Sequence, residues 1–450
     1  MNKILPCISG FQKSSRSRYE EQTSEKTHIS FYHHSYQKYF LFYWTFFSRK
    51  VSEMVEFSEI AKGMRGSEIR RLMKLGSDPS IISFSGGMPA NSLFPIDVLD
   101  ELYNNLPKEA KQAAMQYGPT SGYPPLLEAL KNYLKSKGLP LDGQDLIITT
   151  GAQQAINLLT KVLVDPGDLV ITESPSFIGA LAAFKSYGAN LAGIPIDNEG
   201  IDLNLLEQEL NSRASQIKML YLSPYFHNPA GITYRQKRKE DLLNLLKGKN
   251  LVLLEDDPYG ELYFDEADKS LTVPMKASVI DTVPVCYVGS FAKIFGPGLR
   301  LGWLLGPEEI VEKCEMAKQS ADACSSTLTQ VLAAEYLNKG KLAPYLQFLR
   351  PVYARRAGLM LDALEKYMPD YVSWTKPRGG FYVWATMPQN MDSSLVFQES
   401  IRNGAAFVIG NAFDPHGVKN NSFRLAFSHT PEERIEEGIK IIADAIKKVM

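Results

Sequence analysis

The amino-acid sequence predicts an α/β fold, in which a large domain with a seven-stranded, mainly parallel sheet between helices precedes a smaller α+β domain. First, short β-rich runs alternate with amphipathic stretches from Asp145 onward, which is typical of a parallel sheet covered by helices on both faces. Second, the pattern changes after about Pro344, where a long helical stretch leads to isolated strand-like segments. Third, a chain of 450 residues that is 44% hydrophobic and 22% charged has the composition of a globular protein with a large core.

Seven strands are predicted in the large domain, with helices between most of them. The predicted strands are Leu146–Thr149, Leu169–Thr172, Asn190–Pro195, Lys218–Leu222, Leu251–Glu255, Val285–Val288 and Leu301–Leu305. The predicted helices include Ala152–Val164, Phe177–Tyr187, Leu203–Asn211 and Arg235–Leu246. The smaller domain is predicted to contain the helix Leu346–Tyr367, the strands Gly380–Ala385 and Ser422–Ala426, and the helix Pro431–Val449.

These patterns divide the chain into four segments. We expect residues 1–53 to be a poorly ordered extension outside the native core, since they are rich in aromatic residues and show no pattern that joins the body. Residues 54–110 are expected to pack with the small domain and over the functional site. Residues 111–343 would form the large domain, and residues 344–450 would form the small C-terminal domain.

Charge and composition exclude several classes of function. The net charge of −1 argues against a broad nucleic-acid surface, which needs a strong basic excess. No apolar run is long enough to span a membrane. The six histidines and four cysteines show no spacing of a metal site, and the cysteines form no pair suited to a disulfide framework. We therefore expect a cytoplasmic protein without a metal, in a reducing compartment.

Lys293 is the residue whose surroundings are most informative. It lies in an apolar loop between two predicted strands, flanked by Phe291 and Phe295. Partial burial lowers the pKa of a lysine and frees the neutral amine that Schiff-base chemistry requires, although a lone loop lysine more often just extends along the surface. Ser290 and Arg300 favour the chemical interpretation, because a hydroxyl and a guanidinium together suit a phosphate dianion.

Three further motifs follow predicted strands. Gly151 opens a helix directly after a strand, and the free N–H groups at such a helix start favour an anion. Asp256 and Tyr259 follow an apolar strand, where ligands of parallel sheets bind. Asn228 lies in an Asn-Pro-Ala-Gly turn and offers an amide group. Each motif alone is also compatible with an ordinary turn or helix cap.

Taken together, the motifs resemble the fold type I pyridoxal-phosphate-dependent aminotransferases of class I/II, in the branch of the 2-aminoadipate, kynurenine and aromatic aminotransferases. The resemblance runs from about Phe57 to the C-terminus. The segments that carry it are Tyr117-Gly-Pro, Gly151-Ala-Gln-Gln, Asn228-Pro-Ala-Gly, Asp256-Asp-Pro-Tyr259, Ser290-Phe-Ala-Lys293, Arg300 and Arg424. It implies pyridoxal 5'-phosphate as the cofactor, bound in the large domain.

The resemblance also implies roles for the matching residues. Lys293 would hold the cofactor as a Schiff base and move the proton at Cα, and Asp256 would keep the ring nitrogen protonated. Asn228 and Tyr259 would bind the ring oxygen, and Phe177 would stack on the ring. The phosphate would be held by Ala152, Gln153, Ser290 and Arg300.

On the substrate side, Arg424 would clamp the α-carboxylate in a bidentate fork, although alone it fits a paired surface arginine equally well. Asn228 would also contact the substrate, and Gly87 would line its entrance. Tyr117 would reach the phosphate of the neighbouring subunit, which implies a homodimer with shared active sites. The aromatic residues of the strand near Trp384 are interpreted mainly as core.

The function implied is amino transfer from an L-amino acid to a 2-oxo acid by a ping-pong mechanism. The donor could be aromatic, 2-aminoadipate-like or broad in range, and 2-oxoglutarate is the expected acceptor. Phe177 stands where close relatives carry Tyr, which leaves the side-chain preference open. Ala152 stands where some relatives carry Ser, so one side-chain hydrogen bond to the phosphate is not expected. A carbon–sulfur lyase on the same fold is an alternative, since the same cofactor serves both reactions. A transcription regulator is a further alternative, but residues 1–53 lack a helix-turn-helix pattern.

Overall fold

The computed structural model describes residues 56–58, 61, 78, 80–278 and 283–450. Residues 80–278 and 283–450 belong to one compact unit, Met64–Met450, and only residues 56–58 and 61 are described in the other unit, Met1–Gly63. The predicted extension 1–53 and most of the segment before residue 80 therefore lie outside the described residues.

Within the described residues, the chain forms helices and strands in alternation. The strands are β1 (Ile82–Ser83), β2 (Gln144–Thr149), β3 (Leu169–Ser174), β4 (Asn190–Asp197), β5 (Gly200–Ile201), β6 (Ile217–Leu222), β7 (Val252–Asp257), β8 (Val285–Ser290), β9 (Gly302–Pro307), β10 (Ser373–Trp374), β11 (Tyr382–Thr386), β12 (Ala405–Ala406), β13 (Val408–Ile409) and β14 (Ser422–Ala426). The α-helices are α1 (Ile96–Asn104), α2 (Lys108–Ala114), α3 (Pro124–Ser136), α4 (Ala152–Leu163), α5 (Ile178–Ser186), α6 (Leu203–Ser212), α7 (Gln236–Leu246), α8 (Glu308–Gln319), α9 (Thr327–Asn338), α10 (Leu342–Tyr367), α11 (Ser393–Arg402) and α12 (Glu432–Val449). Short 3-10 turns occupy Asn91–Leu93, Glu266–Thr272, Met275–Ser278, Pro297–Leu299 and Gly410–Phe413.

The large sheet has the strand order β2-β9-β8-β7-β6-β3-β4-β5. The neighbours from β8 through β4 pair in parallel, whereas β9 is antiparallel to both of its neighbours and β5 is antiparallel to β4. The predicted mainly parallel α/β sheet is thus confirmed, but the number of strands, seven, was wrong: the described sheet has eight. The additional strand, β5, is only two residues long and is too short to leave a pattern in the sequence.

Helices cover both faces of the large sheet because alternate residues of each strand point to opposite sides. In β7, Leu253 packs in one core layer, which also contains Leu206 of α6 and Leu242 of α7. Leu254 packs in the other layer, which contains residues of α4, α5 and α8 such as Phe184. Such strands, buried on both faces, are continuous apolar runs that end where polar residues begin. The polar residues of the site are therefore concentrated at the strand ends.

The C-terminal part of the chain forms a smaller sheet with the order β10-β11-β14-β13, in which all neighbours are antiparallel. Arg424 lies in the central strand β14, opposite Trp384 of β11 and Val408 of β13. Helices α10 and α12 pack together beside this sheet, and β1 pairs in parallel with β12. This arrangement holds the backbone of Arg424 in a fully paired strand.

Two further observations concern the described residues only. None of their helices combines the length and apolar character that crossing a membrane requires. No group of three or more His, Cys, Asp or Glu side chains in the same ranges is arranged to hold a metal ion.

Candidate active site

A cavity of about 710 Å³ opens where strands of the large sheet end, beside the smaller sheet. Eleven of the twelve residues predicted for the site line it: Gly87, Ala152, Gln153, Phe177, Asn228, Asp256, Tyr259, Ser290, Lys293, Arg300 and Arg424. The other residue, Tyr117, is 85% exposed and does not contribute to the lining. Its predicted contact with a partner subunit stays a prediction.

A larger cavity of about 890 Å³ lies elsewhere, beside Lys137, Glu261 and Arg350. Its charged groups already form ion pairs, since both Lys137 and Arg350 contact Glu261. The smaller cavity, in contrast, holds polar groups that lack partners. The chemistry therefore points to the smaller cavity.

One end of the cavity is suited to an anion. Gly151 caps the start of α4 with a φ of 81°, and no side chain caps that helix end. The side chain of Arg300 donates to the Thr150 carbonyl at 3.3 Å, and its own backbone is left-handed with a φ of 53°. Left-handed backbone at a residue other than glycine is uncommon and is concentrated at functional sites. The helix start and the guanidinium together favour a phosphate group here.

Lys293 lies between the two ends of the cavity. Its Nζ donates to the Gly87 carbonyl at 2.9 Å and lies 5.7 Å from the centre of the Tyr259 ring. Burial, followed by the positive charges of Arg424 and Arg300, lowers the pKa of Lys293 to about 8. A useful fraction of this amine is therefore neutral and nucleophilic near neutral pH.

Asp256 is the buried carboxyl group of the cavity and comes from the end of β7. Its Oδ2 accepts a hydrogen bond from the Tyr221 hydroxyl at 2.8 Å, whereas its Oδ1 is buried without a hydrogen-bond partner. Burial raises the pKa of Asp256 to about 7, against the lowering effect of Tyr221, while Asp257 and Glu173 add repulsion. A buried oxygen without a partner is costly, and a protonated ring nitrogen would satisfy it.

The other end of the cavity is suited to a carboxylate. Arg424 is buried, and its Nη1 and Nη2 donate to Asn228 Oδ1 at 2.8 Å and to the Ser85 carbonyl at 2.6 Å. Its Nε is buried without a partner, and burial lowers the pKa of the guanidinium, which makes an anionic partner favourable. Its Cζ lies 4.6 Å from the centre of the Tyr382 ring.

The aromatic residues near Trp384 belong mainly to the core, as predicted, and Tyr382 has a second position as well. Phe381 is buried in the apolar core, but the neighbouring Tyr382 lines the cavity and shares a hydrogen bond of 2.7 Å with the Tyr259 hydroxyl. The signal that would have found it is the alternation of the strand, which turns the residue after a core residue to the opposite side. Other lining residues were not predicted from the sequence, among them Ser85, Met88, Ile178, Ala182 and Ser223.

Comparisons with known proteins agree with this geometry. Residues 88–442 match the family described as aminotransferase class I and II. The chain is 41% identical to aromatic-amino-acid aminotransferase 1 of Thermococcus litoralis, over 88% of this chain and 94% of that protein. It is 35% identical to the 2-aminoadipate transaminase of Thermus thermophilus, over 88% and 97%.

A solved structure is similar as well. The kynurenine aminotransferase of Pyrococcus horikoshii, solved in complex with PMP, superposes with a TM-score of 0.84 at 39% identity. That match covers 87% of this chain and 97% of the other. The predicted family and branch are thus confirmed, and the chain belongs to the class I and II aminotransferases.

Proposed function

We propose that the protein transfers the amino group of an aromatic or other bulky apolar L-amino acid to a 2-oxo acid, with pyridoxal phosphate bound in the cavity. One observation carries the proposal. A single cavity joins a helix start without a side-chain cap, the amine of Lys293, the unpartnered oxygen of Asp256 and the buried guanidinium of Arg424.

The residues present fit the cofactor. Asp256 Oδ1 would accept a hydrogen bond from the protonated ring nitrogen, and the start of α4 with Ser290 and Arg300 would hold the phosphate. Phe177 lines the cavity and would pack against the ring, while Asn228 and Tyr259 would hold the ring oxygen. When bound, pyridoxal phosphate supplies an aldehyde that exchanges for the amino group and a ring that withdraws electrons from the substrate Cα.

The protein side of the reaction follows from three groups. Arg424 would orient the substrate by its α-carboxylate, which places the Cα toward Lys293. The neutral Lys293 amine would then take the proton from the substrate Cα and deliver it to the aldehyde carbon of the cofactor. Since Arg424 serves the carboxylates of donor and acceptor alike, the two substrates would bind in turn. This supports the ping-pong order and a 2-oxo acid acceptor, for which we propose 2-oxoglutarate.

Several of the remaining lining residues favour an apolar side chain on the donor. Met88, Ile178 and Ala182 are apolar, and Phe177 adds an aromatic ring. Among the described lining residues, the cations are Lys293, Arg300 and Arg424, and each already has a role above. A second substrate carboxylate would therefore lack a cation among them. Relatives named for aromatic substrates and for kynurenine support the same choice.

Location and assembly belong to the proposal too. We expect a cytoplasmic homodimer in which the exposed Tyr117 meets the cofactor phosphate of the other subunit.

The test is an absorbance experiment on purified protein loaded with pyridoxal phosphate. Phenylalanine or tyrosine, added without any oxo acid, should convert the cofactor band to that of pyridoxamine phosphate, and 2-oxoglutarate should restore it. Lys293→Ala should show neither change in multiple cycles, whereas the control Lys341→Ala, at an ion pair with Glu101, should behave as the wild type. A Lys293→Ala variant with normal turnover would overturn the proposal. Release of ammonia and an oxo acid from cystathionine without an acceptor would indicate a lyase instead.

A further inference from the structure

The end of β7 carries three consecutive carboxyl groups, and each accepts a hydrogen bond from a buried tyrosine. The pairs are Tyr225 with Glu255, Tyr221 with Asp256, and Tyr287 with Asp257. Because the side chains of a strand alternate between faces, the outer two carboxyl groups point away from the cavity and the middle one lines it. Of the three tyrosines, only Tyr221 is therefore bonded to a carboxyl group that lines the cavity.

Tyr221 is held firmly in place. It lies in β6, where its backbone is paired in register with Leu254 of β7, two residues before Asp256. Its side chain is fully buried, and its ring packs edge-on against Phe184 with 5.5 Å between the ring centres. Its hydroxyl donates to Oδ2 of the Asp256 carboxylate, and Oδ1 of this cavity-lining residue has no hydrogen-bond partner.

We propose that Tyr221 is a positioning residue for the cofactor: its hydroxyl fixes the Asp256 carboxylate with Oδ1 toward the ring nitrogen and stabilises the ionised form. This inference rests on the proposed function. Tyr221 does not touch the cavity, so its effect passes entirely through Asp256. The same hydroxyl cannot accept the ring proton itself, because the carboxylate lies between them.

The charges around Asp256 explain why this hydrogen bond matters. Burial raises the pKa of the carboxyl group, and the nearby acids Asp257 and Glu173 raise it further. The hydrogen bond from Tyr221 acts in the opposite direction. Burial raises the pKa of Tyr221 well above its usual range, so its hydroxyl keeps the proton that it donates. Tyr259 also stays protonated, because burial raises its pKa as well. Lys293, in the same cavity, has a pKa of about 8 and titrates in the wild type and the variants alike, so it does not distinguish their profiles.

The experiment measures the affinity of cofactor-free protein for pyridoxamine phosphate between pH 6 and pH 9. This probe cannot bond covalently to Lys293, so its affinity reports the noncovalent contacts alone. Binding to a protonated Asp256 releases a proton, and the affinity therefore falls as the pH drops below the pKa of that carboxyl group. In Tyr221→Phe, the fall should begin about one pH unit higher, because a hydrogen bond to a charged group is lost.

Tyr225→Phe is the matched control. It removes an equally buried hydroxyl from the neighbouring carboxylate of Glu255, which does not line the cavity. Its pH profile should coincide with that of the wild type. If Tyr221→Phe and Tyr225→Phe have the same profile, the inference is overturned while the proposed function stands. If the wild type itself binds no pyridoxamine phosphate, both are overturned.

A second variant keeps the test valid if Tyr221→Phe does not fold. A fluorinated tyrosine, introduced at position 221 by stop-codon suppression, preserves the shape and makes the phenol a stronger donor. A stronger hydrogen bond to the ionised carboxylate lowers the pKa of Asp256, so the fall in affinity should begin at lower pH than in the wild type. A profile unchanged by fluorination would contradict the role of the hydroxyl.

Discussion

Asp256 should destabilise the cofactor-free protein, because the residue is buried with one oxygen unpaired. Burial raises its pKa from the ordinary 3.8 to about 7. The folded state therefore binds the proton more tightly than the unfolded state, and stability is lost as the pH rises from about 4 to about 7. Each pKa unit corresponds to about 1.4 kcal/mol, so the full loss above pH 7 is about 4 kcal/mol.

Asp256→Asn removes this dependence, because the amide does not ionise and its oxygen can still accept the hydrogen bond from Tyr221. The amide brings its own unsatisfied N–H group, which costs about 1–3 kcal/mol at every pH. The informative quantity is hence the change with pH. Relative to the wild type, the free energy of unfolding of Asp256→Asn should increase by about 2–3 kcal/mol between pH 5 and pH 8.

The assay is urea unfolding of both cofactor-free proteins at equal concentration, followed by circular dichroism at pH 5 and pH 8. Asp362→Asn, on the exposed side of α10, serves as the control that changes net charge without removing a buried carboxyl group. A difference between Asp256→Asn and wild type that stays constant with pH would refute the reasoning. The same variant should bind pyridoxal phosphate more weakly. Asp256 would thus lower the stability of the cofactor-free protein and increase its affinity for the cofactor.

Three other predictions concern the same cavity. The rate at which cofactor-free protein takes up pyridoxal phosphate should rise with pH and level off above about pH 8, the pKa of Lys293; stopped-flow rates that are flat from pH 6 to pH 9 would contradict this. Arg424→Lys should raise KM for the amino acid about tenfold or more, with a smaller change in kcat. The bidentate fork is lost, and with it charged hydrogen bonds worth about 1.5–3 kcal/mol. An unaltered KM in steady-state assays would count against the role of Arg424. Gly87→Ala should lower kcat/KM about tenfold. The added Cβ would lie 2.9 Å from Cζ of Tyr382 and overlap that side chain, and such overpacking costs about 1–3 kcal/mol. Gly86→Ala, whose Cβ meets only the end of a flexible methionine, should retain activity, and equal activities for the two variants would rule out the steric argument.

Strands of both sheets were predictable where they are buried on both faces, because they are then continuous apolar runs. Ser422–Ala426 has the predicted bounds, and Leu254 to Asp256 shows the expected change from apolar core to polar strand end. The strand predicted from Gly380 instead begins at Tyr382, since strand ends depend on pairing with β14 rather than on local composition. Pairing partners are contributed by distant parts of the chain and leave no local pattern.

The site was predictable where residue types are unusual for their surroundings, as with Lys293 in an apolar loop. The resemblance to a family placed Asp256 and Arg424, and the structure brings both into one cavity. Tyr221 and Tyr382 were missed, because a tyrosine in an apolar strand looks the same whether its hydroxyl faces core or ligand. Only the tertiary contacts, 2.8 Å to a carboxylate and 2.7 Å to another phenol, distinguish the two cases.

The place of Arg424 in the chain has a consequence for how the protein is made. The cavity residues of the large sheet lie between Gly151 and Arg300, whereas Arg424 is contributed by the later strand β14. During translation, the groups proposed to hold the cofactor leave the ribosome well before the group proposed to hold the substrate. Arg424 therefore cannot bind an amino acid in this cavity until the chain has been synthesised through β14, however early the large sheet forms.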